Sequence, residues 1–337
     1  MQHALLLSRL DLERVLDPLS VIDALEQAFR AEYRGEWNTP RRIVARTPAG
    51  GLLAMPSGGG SPEALGAKLV TTFPGNSVLG IPSVAGLYAL FDPRNGVPIA
   101  VMDGAYLTLI RTAAVSAVAT KLLARQGATS LGVLGSGAQA KFHVRLIALV
   151  RPLQSVTVWA RRREAASSLI ATLRSHPELR QISSWVAAEA PEEAAACDIV
   201  VTATGATEPV LRGRWLKPGT HLNPIGAHAR STREVDTDAV VRASILAVET
   251  ADTLAEAGDL QMAEAEAGGV SGRVTTLGAL LASPQPEASR DPKAITLFKS
   301  CGVAFEDLAV AALAFRRAVE ARLGTPFAFG NSVPPFA

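Results

Sequence analysis

Cysteine is scarce in this chain. Its two cysteines among 337 residues, Cys197 and Cys301, are too few for a disulfide framework and lack the spacing of a metal site. The five histidines form no HxH or HxxxH pair, so no zinc or other metal centre is expected. Charge is also low, with 19% charged residues, a formal net charge of +2 and no Lys/Arg run longer than three. That excludes the basic footprint of a nucleic-acid-binding protein. The N-terminus, MQHALLLSRLDLERVL, meets charge too early for a signal peptide or a transmembrane helix. Internal repeats and low-complexity tracts are absent. What remains is a 48% apolar composition over a length sufficient for two domains, as in a compact soluble enzyme. A reducing, cytoplasmic compartment without a membrane partner is expected.

The richest segment is TSLGVLGSGAQAKFHVRLIALVRPLQSVTVWA, Thr129–Ala160. Leu131–Leu134 reads as a buried strand, an amphipathic run to Val150 as a helix, and Val156–Trp159 as a second strand. Between strand and helix lies Gly135-Ser136-Gly137-Ala138-Gln139-Ala140. Gly135 suits a tight turn, Gly137 admits a pyrophosphate to the backbone, and Ala140 permits close helix–strand packing. A lone GxGxxA says little, but this one sits inside a βαβ unit of the right size. NAD sites place a carboxylate about 20 residues after the glycines, for the ribose 2′-OH. Here Arg161, Arg162 and Arg163 occupy that place, with no acid before Glu164. Guanidinium forks suit a 2′-phosphate. NADP(H) is therefore the expected cofactor, with NAD(H) second and Arg161 the first choice for the phosphate. Against this stands a plain solvated helix start.

The remaining pattern is interrupted. Asp17 and Pro18 open a helix carrying Val21, Leu25, Phe29 and Tyr33 at helical spacing, ended by Gly35. Short strands follow at Ile43–Arg46, Leu52–Met55, Ala67–Phe73, Val84–Phe91 and Pro98–Met102, with a hairpin turn at Asp92–Gly96. These predict an antiparallel meander with one helix against it. A small, apolar and therefore buried helix is expected from Thr112 to Arg125. After it, strands at Ile182–Val186, Asp198–Thr204, Thr220–Ile225 and Ser244–Glu249 alternate with helices, which implies a doubly wound parallel sheet. Ser283–Pro292 reads as a surface loop. The last helix, Phe305–Leu323, has no role in a nucleotide domain and is expected to return to the first one.

Ligands of open parallel sheets bind past the carboxyl ends of the strands, where strand order reverses. That gathers Gly135–Gln139, Thr202-Ala203-Thr204 and Asn223–His228 around the cofactor. Thr202 and Thr204 either line the ribose and nicotinamide or simply reflect strand propensity. The substrate must draw on the other lobe. Lys68 faces away from its neighbours Ala67 and Leu69. Arg111 begins the apolar helix, where a charge is costly unless paired or ligand-bound. Arg41 and Arg42 follow Pro40. Each reads individually as a surface cation, but together they offer positive charge to a small anion.

The segments Gly66-Ala67-Lys68-Leu69-Val70, Arg111-Thr112-Ala113-Ala114, the glycine loop, Gly258-Asp259-Leu260 and Thr296-Leu297-Phe298-Lys299-Ser300 occur in the order found in the ornithine cyclodeaminase/mu-crystallin family, which the whole chain resembles. The resemblance implies a Rossmann-type doubly wound sheet, residues 119–302, inserted into an α+β domain of residues 1–118 and 303–337 that binds substrate and forms a homodimer. It implies NAD(P) and an amino acid, imine or 2-oxo acid substrate. It gives Lys68 and Arg111 to the substrate, matches Arg42 to a further carboxylate-gripping arginine, with Arg41 adjacent in register, and sets Ser300 near the nicotinamide.

Departures from the family pattern narrow the chemistry. Cyclodeaminases carry an aspartate where this chain has His228 in Gly226-Ala227-His228. They carry a glutamate before Met55-Pro56, where Leu53 and Ala54 stand here, and an acid in place of Lys299. The GAH…TRE sequence, with Thr232, Arg233 and Glu234, and the TLFKS sequence resemble the ketimine reductase branch. The expected reaction is reduction of Δ1-pyrroline-2-carboxylate to L-proline, or Δ1-piperideine-2-carboxylate to L-pipecolate. Lys68, Arg111 and Arg42 hold the carboxylate, and Lys68 or His228 supplies the imine proton. His228 reads equally well as a packing residue. The rival readings are an alanine-type amino acid dehydrogenase, an ornithine cyclodeaminase, and a non-catalytic NADPH-dependent binder of small ligands.

Overall fold

The computed structural model describes residues 3–283 and 291–329. The chain divides into two compact units, Met1–Arg111 with Val303–Ala337, and Thr112–Gly302. The first division falls after Arg111, inside the helix Gly104–Leu123, which also contains the expected boundary at residue 118. That helix begins well before Thr112, because the Asp103 carboxylate accepts from Tyr106 N–H at 2.8 Å and opens it there. Arg111 is consequently in mid-helix and not at its start. The helix is long and apolar enough to cross a membrane by composition, yet 78% of its most apolar window is buried within the protein.

In the first unit, strands β1 (Ala4–Leu7), β2 (Trp37–Asn38), β3 (Ile43–Thr47), β4 (Gly50–Gly59), β5 (Ala64–Thr72), β6 (Val84–Phe91) and β7 (Pro98–Asp103) form one sheet with the C-terminal strand Thr325–Phe327. The expected antiparallel meander is the run β3 to β7, turned at Asp92–Gly96 with Gly96 at φ +74°. Neither terminal strand was expected; β1 pairs parallel to β7 and makes the sheet mixed. Alternation gives the sheet two faces. One carries a cross-strand row, Met55–Lys68–Tyr88–Met102, fixed by register and buried. The helix Ala304–Ala321 packs against β4, β5 and β6, and against the helix Pro18–Tyr33. Phe305 closes that seam, edge-on to Phe29 and stacked on Trp37 at 5.9 Å. The opposite face exposes Ile43, Leu52, Leu65, Leu69 and Leu87.

The second unit is the doubly wound sheet. Its strands are β8 (Ser130–Leu134), β9 (Ser155–Trp159), β10 (Ser184–Ala187), β11 (Ile199–Thr202), β12 (His221–Pro224), β13 (Ile245–Val248), β14 (Val274–Thr276) and β15 (Thr296–Lys299). Every pairing is parallel, in the order β10-β9-β8-β11-β12-β15-β13-β14. Strand order reverses beside β8. Fully buried strands such as β11, Ile-Val-Val-Thr, fit a sheet covered on both faces. The short β14 was not expected. Of the loop expected at Ser283–Pro292, residues 284–290 lie outside the described residues.

Candidate functional site

The reversal point carries the glycine loop. Gly135 adopts φ +125°, and a Cβ there would collide with the Ala203 carbonyl of the neighbouring strand end, so glycine is required on both counts. Gly137, exposed and with open space where a Cβ would be, caps the helix Ala138–Ile147 without any side-chain hydrogen bond. Ser136 and Gln139 are partly buried, Ala138 is exposed and Ala140 is buried. This is a cradle open to an anion at a helix N-terminus, and it fits a dinucleotide pyrophosphate. Past β9, Arg161 and Arg162 are exposed and have no hydrogen-bond or ion-pair partner among the described residues. Arg163 is instead turned to Glu189 at 3.0 Å.

Behind the loop the structure supplies partners that the sequence did not reveal. The hydroxyls of Thr202 and Thr204 are neither ligand-facing by default nor mere strand formers: both donate to the buried Glu234 carboxylate, at 2.8 and 2.6 Å. Ala203, between them, is partly buried. Ser300, also buried, donates to Glu249 at 2.6 Å, and Glu249 takes the Cys301 and Gly302 N–H groups as well. Lys299 is fully buried against Asp259, 2.8 Å away. His228 is exposed, with Nδ1 3.1 Å from the Gly226 carbonyl.

In the first unit, Lys68 and Arg111 come together on the covered face of the sheet. Lys68 is 1% exposed, on an otherwise apolar row, and its Nζ lies 2.8 Å from Asp307 Oδ2. The Arg111 guanidinium reaches the same carboxylate at 3.1 Å and Glu306 at 2.8 Å. Both acids stand on the first turn of the helix Ala304–Ala321 and are fully buried. Two cations and two anions thus form a neutral cluster, as burial demands. Burial pushes the Lys68 ammonium down to about 8; Asp307 pulls it up and Arg111 opposes that. Burial alone would raise the Asp307 carboxyl, but Arg111 and Lys68 outweigh it and hold it below its ordinary range. Tyr88, opposite Lys68 in the register, brings a buried hydroxyl without a hydrogen-bond partner among the described residues, and Gly66 leaves room for that ring. Extending the β3–β4 register by one residue sets Arg42 against Met55, the partner of Lys68. That puts Arg42, partly buried, on the face of Lys68, and exposed Arg41 on the other.

A nucleotide cradle in a doubly wound unit, and a buried cation pair in an α+β unit built from both chain ends, fit a dinucleotide-linked oxidoreductase. Comparison with known proteins agrees. The ornithine cyclodeaminase/mu-crystallin family model matches residues 2–322. The chain is 38% identical to the ketimine reductase mu-crystallin of Mus musculus over 294 residues, 87% of this chain and 88% of that one. It is 35% identical to the Δ1-pyrroline-2-carboxylate reductase of Thermococcus litoralis, solved with NADH and L-proline, with 95% and 99% of the chains covered and a TM-score of 0.90. An archaeal alanine dehydrogenase dimer with bound NAD is 30% identical, with 97% and 99% covered and a TM-score of 0.89. The protein belongs to the ornithine cyclodeaminase/mu-crystallin family.

Proposed function

We propose that this protein is a nicotinamide-dependent oxidoreductase that reduces a cyclic imino acid, Δ1-pyrroline-2-carboxylate to L-proline, with the six-membered Δ1-piperideine-2-carboxylate as a second substrate. The observation that carries the reading is the buried, neutral cluster of Lys68, Arg111, Glu306 and Asp307. Such a cluster accepts a zwitterion, a carboxylate with a protonated ring nitrogen, without leaving net buried charge. The similarity to reductases of this substrate class supports it.

The first unit binds substrate and the second holds the dinucleotide, which supplies hydride to the imine carbon when bound. Lys68, Arg111 and Arg42 grip the carboxylate and fix its orientation, since arginine forks restrict a carboxylate in two dimensions. Lys68, lowered to about 8, is the better proton donor to the amine nitrogen that remains once hydride has reached the iminium carbon, because a donor with a value nearer neutrality gives up its proton more readily than an ordinary lysine. His228 is the second candidate. NADPH is preferred, on the two unpartnered arginines past β9. The NADH and NAD seen in the two structural relatives are the reason to test that preference directly.

The active form is a homodimer. Ile43, Leu52, Leu65, Leu69 and Leu87 make an exposed apolar face on one sheet, joined by the register Ile43–Ala54–Leu69–Leu87, and a second copy of this chain covers it. The two unbridged cysteines suit a reducing cytoplasm.

The deciding assay follows oxidation of NADPH and of NADH with Δ1-pyrroline-2-carboxylate, beside pyruvate plus ammonia, and beside ornithine with NAD+. NADPH loss with proline as product is expected. Ammonia and proline from ornithine without net redox change would overturn the reading in favour of cyclodeamination. Turnover of pyruvate alone would favour an amino acid dehydrogenase.

A further inference from the structure

Two sequence motifs, Gly258-Asp259-Leu260 and the acid that ends Thr232-Arg233-Glu234, do no chemistry in the reading above. Both meet beneath the strand ends of the second unit. The Glu234 carboxylate is fully buried and accepts four hydrogen bonds: Thr204 N–H and Oγ1 on Oε1, at 2.6 Å each, and Thr202 Oγ1 and Gly226 N–H on Oε2, at 2.8 and 2.6 Å. Thr202 ends β11, Thr204 lies two residues past it, and Gly226 follows β12. A Cβ on Gly226 would collide with Thr204 O and with the Glu234 carboxylate, so the glycine exists to admit this acid.

Glu234 is itself anchored. Its backbone N–H and that of Val235 donate to Asp259 Oδ1, at 2.7 and 3.1 Å. The other Asp259 oxygen faces Lys299 Nζ, which also donates to the Pro224 and Ala227 carbonyls at 3.1 and 2.5 Å. Asp259 opens the helix Gly258–Ala267, and a Cβ on Gly258 would strike the carbonyls of Ala229 and Thr232. The ends of β11, β12 and β15 are thereby tied into one polar lattice whose charged groups, Glu234, Asp259 and Lys299, are all buried.

Strand order says which part of the cofactor this lattice serves. The pyrophosphate cradle follows β8, and the arginines for the adenosine ribose follow β9, to one side of it. The nicotinamide half must extend to the other side, over β11 and β12. We propose that Glu234 is a positioning residue that shapes the floor under the nicotinamide half of the dinucleotide, with Asp259 and Lys299 as its anchor. This rests on the dinucleotide reading above.

Glu234→Gln tests it, because the amide nitrogen faces two donors where a carboxylate oxygen accepted both. Calorimetry measures binding of the dinucleotide that the wild type holds more tightly, and of its adenosine half alone, 2′,5′-ADP for NADPH or ADP for NADH. The expected result is a dissociation constant for the whole dinucleotide raised about ten- to a hundredfold. The half-ligand should stay within about twofold of wild type. General loss of structure in this unit would weaken both alike, and that outcome, or no change in either, overturns the proposal. Should E234Q fail to fold by circular dichroism, Thr202→Val removes only one hydroxyl donor, and the same asymmetry is expected at smaller size. A wild type that binds neither dinucleotide overturns the cofactor reading itself, which is a separate failure.

Discussion

Replacing Asp307 with asparagine isolates the cluster on the covered face. Asn keeps the shape and one acceptor for Arg111 but removes the charge that Lys68 and Arg111 share. Breaking one side of a buried ion pair costs about 3–5 kcal/mol. Arg111 retains Glu306 and cannot lose its proton, whereas Lys68 can. Asp307 is a charge that raises Lys68, so without it the ammonium falls below the value of about 8 that it has in the wild type. This sets the pH dependence of the loss. Below the new value, both folded proteins hold Lys68 charged and the loss is largest. Between the new value and pH 8 the variant has already shed the proton that its unfolded chain still binds, so its stability climbs by about 1.4 kcal/mol per pH unit while the wild type stays level. Above pH 8 both climb together and the difference is constant. Urea denaturation at pH 6, 7, 8 and 9 reads this directly. Catalysis gives an independent arm: kcat/KM should fall above about pH 8 in the wild type, and that alkaline limb should move down in D307N. A stability loss that is flat from pH 6 to 8, together with an unmoved limb, would refute the coupling of Lys68 to Asp307.

Further outcomes follow from other parts of the molecule. Arg161→Ala should raise the dissociation constant of NADPH by about ten- to a hundredfold, the worth of charge-assisted hydrogen bonds to a phosphate, and leave NADH nearly unchanged; equal weakening of both would remove the 2′-phosphate from the account. Leu69→Asp with Leu87→Asp, a cross-strand pair on the exposed face, should give a monomer at micromolar concentration in light scattering, and a persisting dimer would place the interface elsewhere. His143 is buried and lowered to about 4 by burial, with Nε2 3.0 Å from Ser116 Oγ. Its unfolded form therefore takes up a proton first on acidification. The stability that it lends is intact above about pH 6.5 and declines by roughly 3 kcal/mol on the way to pH 4. In His143→Gln this acid slope should flatten, which urea midpoints at pH 7, 5.5 and 4.5 would show.

The contrast between what could and could not be read in the sequence has a physical pattern. The glycine loop was legible because its residues are dictated by backbone geometry within a few positions: Gly135 by a positive φ and a carbonyl against it, Gly137 by an open helix start. The meander was legible because alternation and turn residues are local. Lys68 and Arg111 were legible only as cations of uncertain partner, since what neutralises them arrives from residues 306 and 307 at the far end of the chain. In AFEDLAVAALAF those acids look like ordinary first-turn residues complementing a helix dipole. The signal available was their setting, two adjacent carboxylates between Phe305 and Leu308, both of which the helix buries. Burial on either side leaves such acids no route to water, so they must meet cations inside. The same argument applies to Lys299, between the buried Phe298 and Ser300, whereas Glu234 has a buried neighbour on one side only, Val235. A charge embedded in a buried stretch identifies the need for a partner, while the identity of that partner depends on tertiary contact. The ion pairs are therefore the part of this fold that only the structure supplies, and they are also the part that holds the buried cations and the strand ends in place.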